Sequence, residues 1–316
     1  VSLGLIRASQ AIAFPNLAVH SHQDKELEMQ TPAATPDQSA KEAGRRIVHR
    51  TRGHAQGPIT RLISPGDLGR RLKPFVFLDL FDIEKNSSFG FGPHPHSGIA
   101  TVTHLFEGGA RYQDTTGATG ILPAGGVEWF KAGGGAWHGG GGGQALSRRG
   151  FQLWVALPPE HELGPVESIY QAPEEVARDG PASVLVGTHG GAASTLKSPA
   201  PLNYLAVRLK AGESWRYQPP AGHTVTWMAL AKGSASLAAA ERVDAGELVV
   251  FEPTEAAIDL RADVDTELVI GSAPPHPHDL VLGSHCVHSS PAALMAGERQ
   301  IGEIGARLQK AGRLPT

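Results

Sequence analysis

The sequence has almost no cysteine: Cys286 is the only one in 316 residues. That excludes an intrachain disulfide framework and a zinc site built on thiolates. Positive charge is not in excess either, with 28 Lys and Arg against 31 Asp and Glu. The electrostatic footprint that nucleic acid or an anionic membrane surface would need is therefore missing. No stretch approaches the ~20 consecutive apolar residues that span a bilayer. The glycine runs at 133–135 and 139–143 lack a following Lys-Ser/Thr and a strand-to-helix setting, so they do not read as a phosphate loop. No Ser/His/Asp or Cys/His arrangement stands out. A reducing compartment and a cytoplasmic location are expected.

Glycine (39) and proline (24) are plentiful, which argues for many turns and few long helices. The length suits two domains. Residues 1–44 read as a loosely docked or disordered extension, since Arg7 and Pro15 break its mild apolarity and its second half is polar with mixed charge. A folded domain is expected to start near Arg45. Arg46–Arg50, Pro74–Asp82, Ala100–Glu107, Ala110–Asp114, Gly120–Leu122, Val127–Lys131 and Phe151–Leu157 then read as short strands, ending at Pro158-Pro159. Five more follow: Ser183–Thr188, Leu202–Lys210, Thr224–Ala231, Glu247–Phe251 and Thr266–Ser272.

The second set repeats the first. Leu122–Phe130 aligns with Val243–Phe251, and Phe106-Glu107-Gly108 with Ala231-Lys232-Gly233. The expected fold is all-β: two antiparallel, jelly-roll type barrels, over 45–160 and 161–275. A loop and short helical tail, 276–316, should pack on them. Ser290-Pro291 supplies the N-cap and first-turn proline of that helix, with Leu294, Ile301, Ile304 and Leu308 as its apolar stripe. Gly297, Gly302 and Gly305 are expected to weaken it.

Chemistry concentrates between Phe91 and Gly143. His94-Pro95-His96 puts two imidazoles on one face of a strand, because side chains alternate with period two. A third imidazole from a sheet neighbour would complete one side of a metal site, and neutral imidazole suits Fe, Cu, Ni and Zn.

These residues carry a resemblance. HPHSGIATVTHLFEG, GGVEW and AGGGAWHGG, with PFVFLDLF before and FQLWVALP after, are similar to the motifs of the pirin family of bicupins. The resemblance spans roughly Ile59 to Leu308. It implies two cupin barrels and one Fe site in the first, held by three histidines and one glutamate. The histidines carry over onto His94, His96 and His138. Fe(II) is the metal implied, with Ni, Cu, Zn or Mn as alternatives. The function implied is a metal-dependent dioxygenase of quercetinase type acting on a flavonol-like aromatic. The alternative is a non-catalytic pirin-like binding or regulatory protein that works through a small ligand or a protein partner.

The glutamate does not carry over: its position is Gly140. Ala100 also stands where the motif has Glu, and Ser97 where it has Arg. Glu128 either faces the cavity as a catalytic carboxylate or is an exposed strand residue. His104 shares the strand parity of His94 and His96, and is either an auxiliary ligand or a satisfied interior histidine. Asp114 reads as a turn residue. In the second barrel Pro219 and Ala221 replace the paired histidines, so that barrel should hold no metal. His276-Pro277-His278, His285 and His288 read as a surface loop, with a role near the first site only if the tail folds back there.

Overall fold

In the computed structural model, residues 44–85, 87, 89–140, 147–238 and 241–314 are described. The extension expected at 1–44 lies, but for Gly44, outside them, as do Gly141–Gly143. The fold is built on two seven-stranded and two four-stranded antiparallel sheets. The first seven-stranded sheet runs Glu167–Gln171, Val127–Lys131, Ile99–Glu107, Arg148–Ala156, Phe75–Ile83, Ile59–Ile63, His54–Gln56. The second runs Ile47–Thr51, Leu248–Phe251, Val225–Lys232, Thr266–Ala273, Asn203–Leu209, Ala182–Val186, Arg178–Asp179.

These two sheets face each other. Their shared core joins Leu78, Val102, Trp129 and Leu153 to Tyr204, Trp227, Val250 and Val269. Phe75 meets Trp227 edge to face, with centroids 5.4 Å apart. Strands such as Phe75–Ile83 are therefore buried on both faces, which explains their near-continuous apolar sequence. A four-stranded sheet covers the outer face of each. None of the sheets closes on itself, so each half is an open jelly-roll pair, not a continuously bonded barrel.

The internal repeat is visible in the hydrogen bonds. Gly108 and Gly233 follow equivalent strands with φ of 79° and 81°. Ala124 N–H donates to the Gly108 carbonyl, and Ala245 N–H to that of Gly233. The two interiors differ in filling. In the second half Val207, Met228, Leu230 and Ile270 pack tightly on Trp215, Leu237 and Leu260. In the first, a small cluster of Ile59, Phe81, Ile83, Leu105 and Leu122 leaves space beside it.

Strand pairing crosses the boundary expected at residue 160. Ile47–Thr51 adds to the second sheet beside Leu248–Phe251. Arg45, next to it, is buried there, donating to Thr226 Oγ1 and to the carbonyls of Thr224 and Glu252. Glu167–Gln171 returns to the first sheet beside Val127–Lys131.

The C-terminal helix is longer and firmer than its glycines suggested, spanning Pro291–Lys310. Ser290 caps it by accepting from Ala293 N–H. Gly297 and Gly305 are buried contact points. A Cβ at Gly297 would sit 2.4 Å from Ser97 Oγ, and one at Gly305 would sit 2.8 Å from the Trp137 ring. Missing side chains let the helix lie directly on the strands that carry the histidines, an advantage outweighing the helix propensity lost.

Candidate metal centre

His94 and His138 are direct cross-strand partners, with Phe91–His96 and Ala136–Gly140 pairing antiparallel. His96 lies two residues along, on the same face. The rings stand 4.6, 4.9 and 5.0 Å apart, and one nitrogen from each lies within 4.8 Å of the others. This is the one such group of three among the described residues.

Each ring is oriented from behind. His94 Nδ1 donates to the Gly92 carbonyl at 2.8 Å, His96 Nδ1 to that of His285 at 3.1 Å, and His138 Nδ1 to Glu128 Oε1 at 3.3 Å. Those bonds set the tautomer, so Nε2 carries the lone pair. His96 Nε2 and His138 Nε2 are buried without a partner. Burial, with like-charge repulsion from His138, pushes the His94 pKa down to about 4 and that of His96 well below its usual value. Neutral rings with converging, unsatisfied lone pairs fit a divalent cation. Phe130 stacks on His138 at 4.5 Å, and Trp154 meets His96 edge-on at 4.7 Å.

Glu128 faces inward and is buried. The register explains it. Asp79, Gln152, Thr103, Glu128 and Tyr170 are successive cross-strand partners, forming one polar row over five strands. Burial would raise the Glu128 pKa, but the hydrogen bonds from His138 and Tyr170 bring it below its usual value. Tyr170 OH bridges Glu128 Oε1 and Asp114 Oδ2, at 3.2 Å each. Asp114 does hold a turn, accepting from Thr116 N–H, and it also joins this buried network.

His104 does not join the group. It is next to Thr103, so alternation turns it to the opposite face, toward the other seven-stranded sheet. Its Nδ1 donates to the Gly126 carbonyl at 2.8 Å, and its ring lies edge-on to Phe106. Parity counted from His96 fails because a turn at Gly98, φ 74°, intervenes.

The tail histidines divide. His276 and His278 face one another at 5.1 Å and belong to no metal-ligand group among the described residues. His285 and His288 come back to the centre. His285 lies 6.3 Å from His96 and 6.5 Å from His94, ring to ring. Ser97 donates to His288 Nε2 at 2.9 Å, and His288 Nδ1 donates to Glu162 Oε2 at 3.2 Å. This is a buried Ser-His-Glu chain that no local motif announces. Gly297 closes over it, so it locks the tail to the His96 strand and offers no exposed nucleophile. In the second half His223 is hydrogen-bonded to Ser272 Oγ and belongs to no metal-ligand group among the described residues.

A cavity opens beside the histidines. His94, His138 and Glu128 form one end. Phe81, Ile83, Phe91 and Leu122 form apolar walls. Tyr112 and Tyr170 stack at 3.4 Å along its side.

The Pirin family model matches residues 40–155. The chain carries a Pirin-family domain. The chain is 39% identical over 123 residues to a Pseudomonas aeruginosa protein named as a putative quercetin 2,3-dioxygenase, covering 38% of this chain and 43% of that protein. The chain spans less than half the length of the curated relatives it matches at that identity. The crystal structure of a quercetin 2,3-dioxygenase from Acinetobacter baumannii superposes with a TM-score of 0.74 at 22% identity, over 83% of this chain and 98% of that one. The Escherichia coli pirin YhhW, in complex with nickel(II), gives 0.58 at 20% identity, over 73% and 98%. These two structures share the pirin fold. No helix among the described residues is long and apolar enough to cross a membrane.

Proposed function

We propose that the first half is an Fe(II)-dependent dioxygenase of quercetinase type, acting on an enolisable, flavonol-like aromatic. The observation that carries this reading is the inward-facing carboxylate of Glu128, bonded to His138 in a sequence whose usual glutamate position is Gly140. His94, His96 and His138 would hold the metal, which supplies Lewis acidity and positions for a chelating substrate and dioxygen.

The chain's own residues do the rest. The apolar walls strip water from an aromatic body and orient its oxygen edge toward the histidines. Glu128, held anionic by His138 Nδ1–H and Tyr170 O–H, takes the proton of the substrate hydroxyl onto its carboxylate. Tyr170 stays protonated, because burial and the neighbouring carboxylate Glu128 raise its pKa. It is a hydrogen-bond donor throughout, not a base.

A second reading rests on Gly140. Without a carboxylate in the ligand set, three neutral imidazoles leave the cation's charge uncompensated, which favours a binding protein over a catalyst. Metal analysis of untagged protein, anaerobic Fe(II) loading and oxygen uptake with quercetin separate the two. Stoichiometric iron lost in His138→Ala is expected, with turnover falling about 10²- to 10⁴-fold in Fe-saturated Glu128→Gln. Substoichiometric metal indifferent to His138→Ala would sink the metal centre. Full iron with no oxygen uptake would leave only the binding reading.

A further inference from the structure

One cation in the metal pocket has no counter-charge. Arg148 begins the strand Arg148–Ala156 and is only 5% exposed, yet it borders the cavity. Its Nη2 donates to the Phe89 carbonyl at 2.7 Å. Its Nε has no partner. No Asp or Glu among the described residues pairs with it, and the neighbouring segment 141–146, GGGQAL, contains no acid. Arg61 pairs with Asp79 and Arg149 with Glu107 and Glu267, while buried Arg45 gives its three nitrogens to two carbonyls and a hydroxyl; of these arginines Arg148 alone keeps a buried guanidinium nitrogen without a partner. A buried guanidinium without an anion is costly, and burial alone holds its pKa below the usual arginine value.

Its position defines a second pole. Arg148 pairs with Ile83, and Gln152 with Thr103, one strand from Glu128. Four residues of strand, about 13 Å, separate Arg148 from Gln152. Between the poles the walls are apolar. Arg111 also borders the cavity, but it is exposed and its charge is met by water.

We infer that the pocket takes an organic acid: a planar apolar body with a metal-facing hydroxyl or enol at one end and a carboxylate bound by Arg148 at the other. The proposal rests on the metal-pocket reading above and narrows it from neutral flavonols to aromatic hydroxy acids. A planar guanidinium with a free Nε–H matches a carboxylate edge. A phosphate dianion would require more cationic lining than this single buried charge.

The test compares 6-hydroxy-2-naphthoate with 2-naphthol, which share the ring system and hydroxyl but not the acid. Both are titrated calorimetrically against the full chain, metal-free and after Ni(II) loading. The acid should bind at least tenfold more tightly, and Arg148→Gln should erase that preference without changing metal content or 2-naphthol affinity. Equal binding by the wild-type protein, binding of neither probe, or a preference that survives Arg148→Gln overturns the proposal. A crystal structure of the wild-type complex decides the matter without any variant. The carboxylate should lie on Arg148 with the hydroxyl toward the histidines, and a reversed or displaced ligand overturns it. Failure of the metal reading is separately visible, because wild-type protein would take up no Ni(II) while the acid preference is still measured metal-free.

Discussion

Glu128 stands behind His138, not beside it: its carboxylate accepts from Nδ1 at 3.3 Å while His138 Nε2 points at the other two rings. The carboxylate thus orients a ligand instead of supplying one. Such partners typically govern affinity by about 10- to 100-fold. Glu128→Ala should weaken metal binding by that range in a chelator competition assay. Glu128→Gln, which can still accept from Nδ1–H, should lose less. Equal affinity in all three proteins would mean that His138 needs no support.

Restoring the missing glutamate should not restore a ligand. A Cβ at residue 140 would lie 2.3 Å from the Arg111 carbonyl oxygen, a backbone atom. Gly140→Glu is expected to destabilise by about 1–3 kcal/mol, seen as a lower melting temperature, with no gain in metal affinity. A variant that melts normally and binds metal more tightly would show that these strands separate easily.

His104 should make the fold acid-sensitive. Burial lowers its pKa from 6.5 to about 4, the bond to the Gly126 carbonyl opposing this only in part. Between those values the unfolded chain binds a proton that the folded chain refuses. Its contribution is therefore fully present above pH 6.5 and is lost as the pH falls toward 4, on the order of 3 kcal/mol in all. Urea denaturation of wild type and His104→Gln over this window checks it. The variant should show the shallower decline, and parallel curves would assign the sensitivity to other groups.

Two helix glycines should respond oppositely to alanine. Gly297→Ala forces a Cβ onto Ser97 Oγ and His288 Nε2, whereas nothing lies within 4 Å of a Cβ at Gly302. The first should cost about 1–3 kcal/mol. The second should gain up to about 1 kcal/mol from helix propensity. Equilibrium unfolding of both variants is the measurement, and destabilisation by both would mean that the helix is held elsewhere.

His94 and His96 could be read from period-two alternation and His138 from the resemblance, and the structure shows the strand pairing that brings the three together. The repeat was readable because Gly108 and Gly233 do the same backbone work in both halves. Glu128 stayed ambiguous because its face depends on register with Thr103, which no single strand encodes. His104 stayed open between ligand and interior residue because its parity had to be counted through the turn at Gly98. Gly297 and Gly305 looked like helix breakers because their purpose lies in residues 97 and 137, far away in the chain. Ser97, Glu162 and His288 meet across 126 and 191 residues, so no local pattern could disclose them.

The exchanged strands have a consequence for how this protein can be divided. Tyr170, which steadies Glu128, is laid down by chain that has already passed Pro158-Pro159, while Ile47–Thr51 is spent on the far sheet before the first is begun. The halves are clasped, each holding a strand from the other's side of that sequence boundary. A cut at the diproline would leave one fragment with an orphan strand and the other with an open sheet edge, and the pocket would lose its tyrosine wall. The second half is thus a structural counterpart that cannot be shed, and the two should melt as a single cooperative unit.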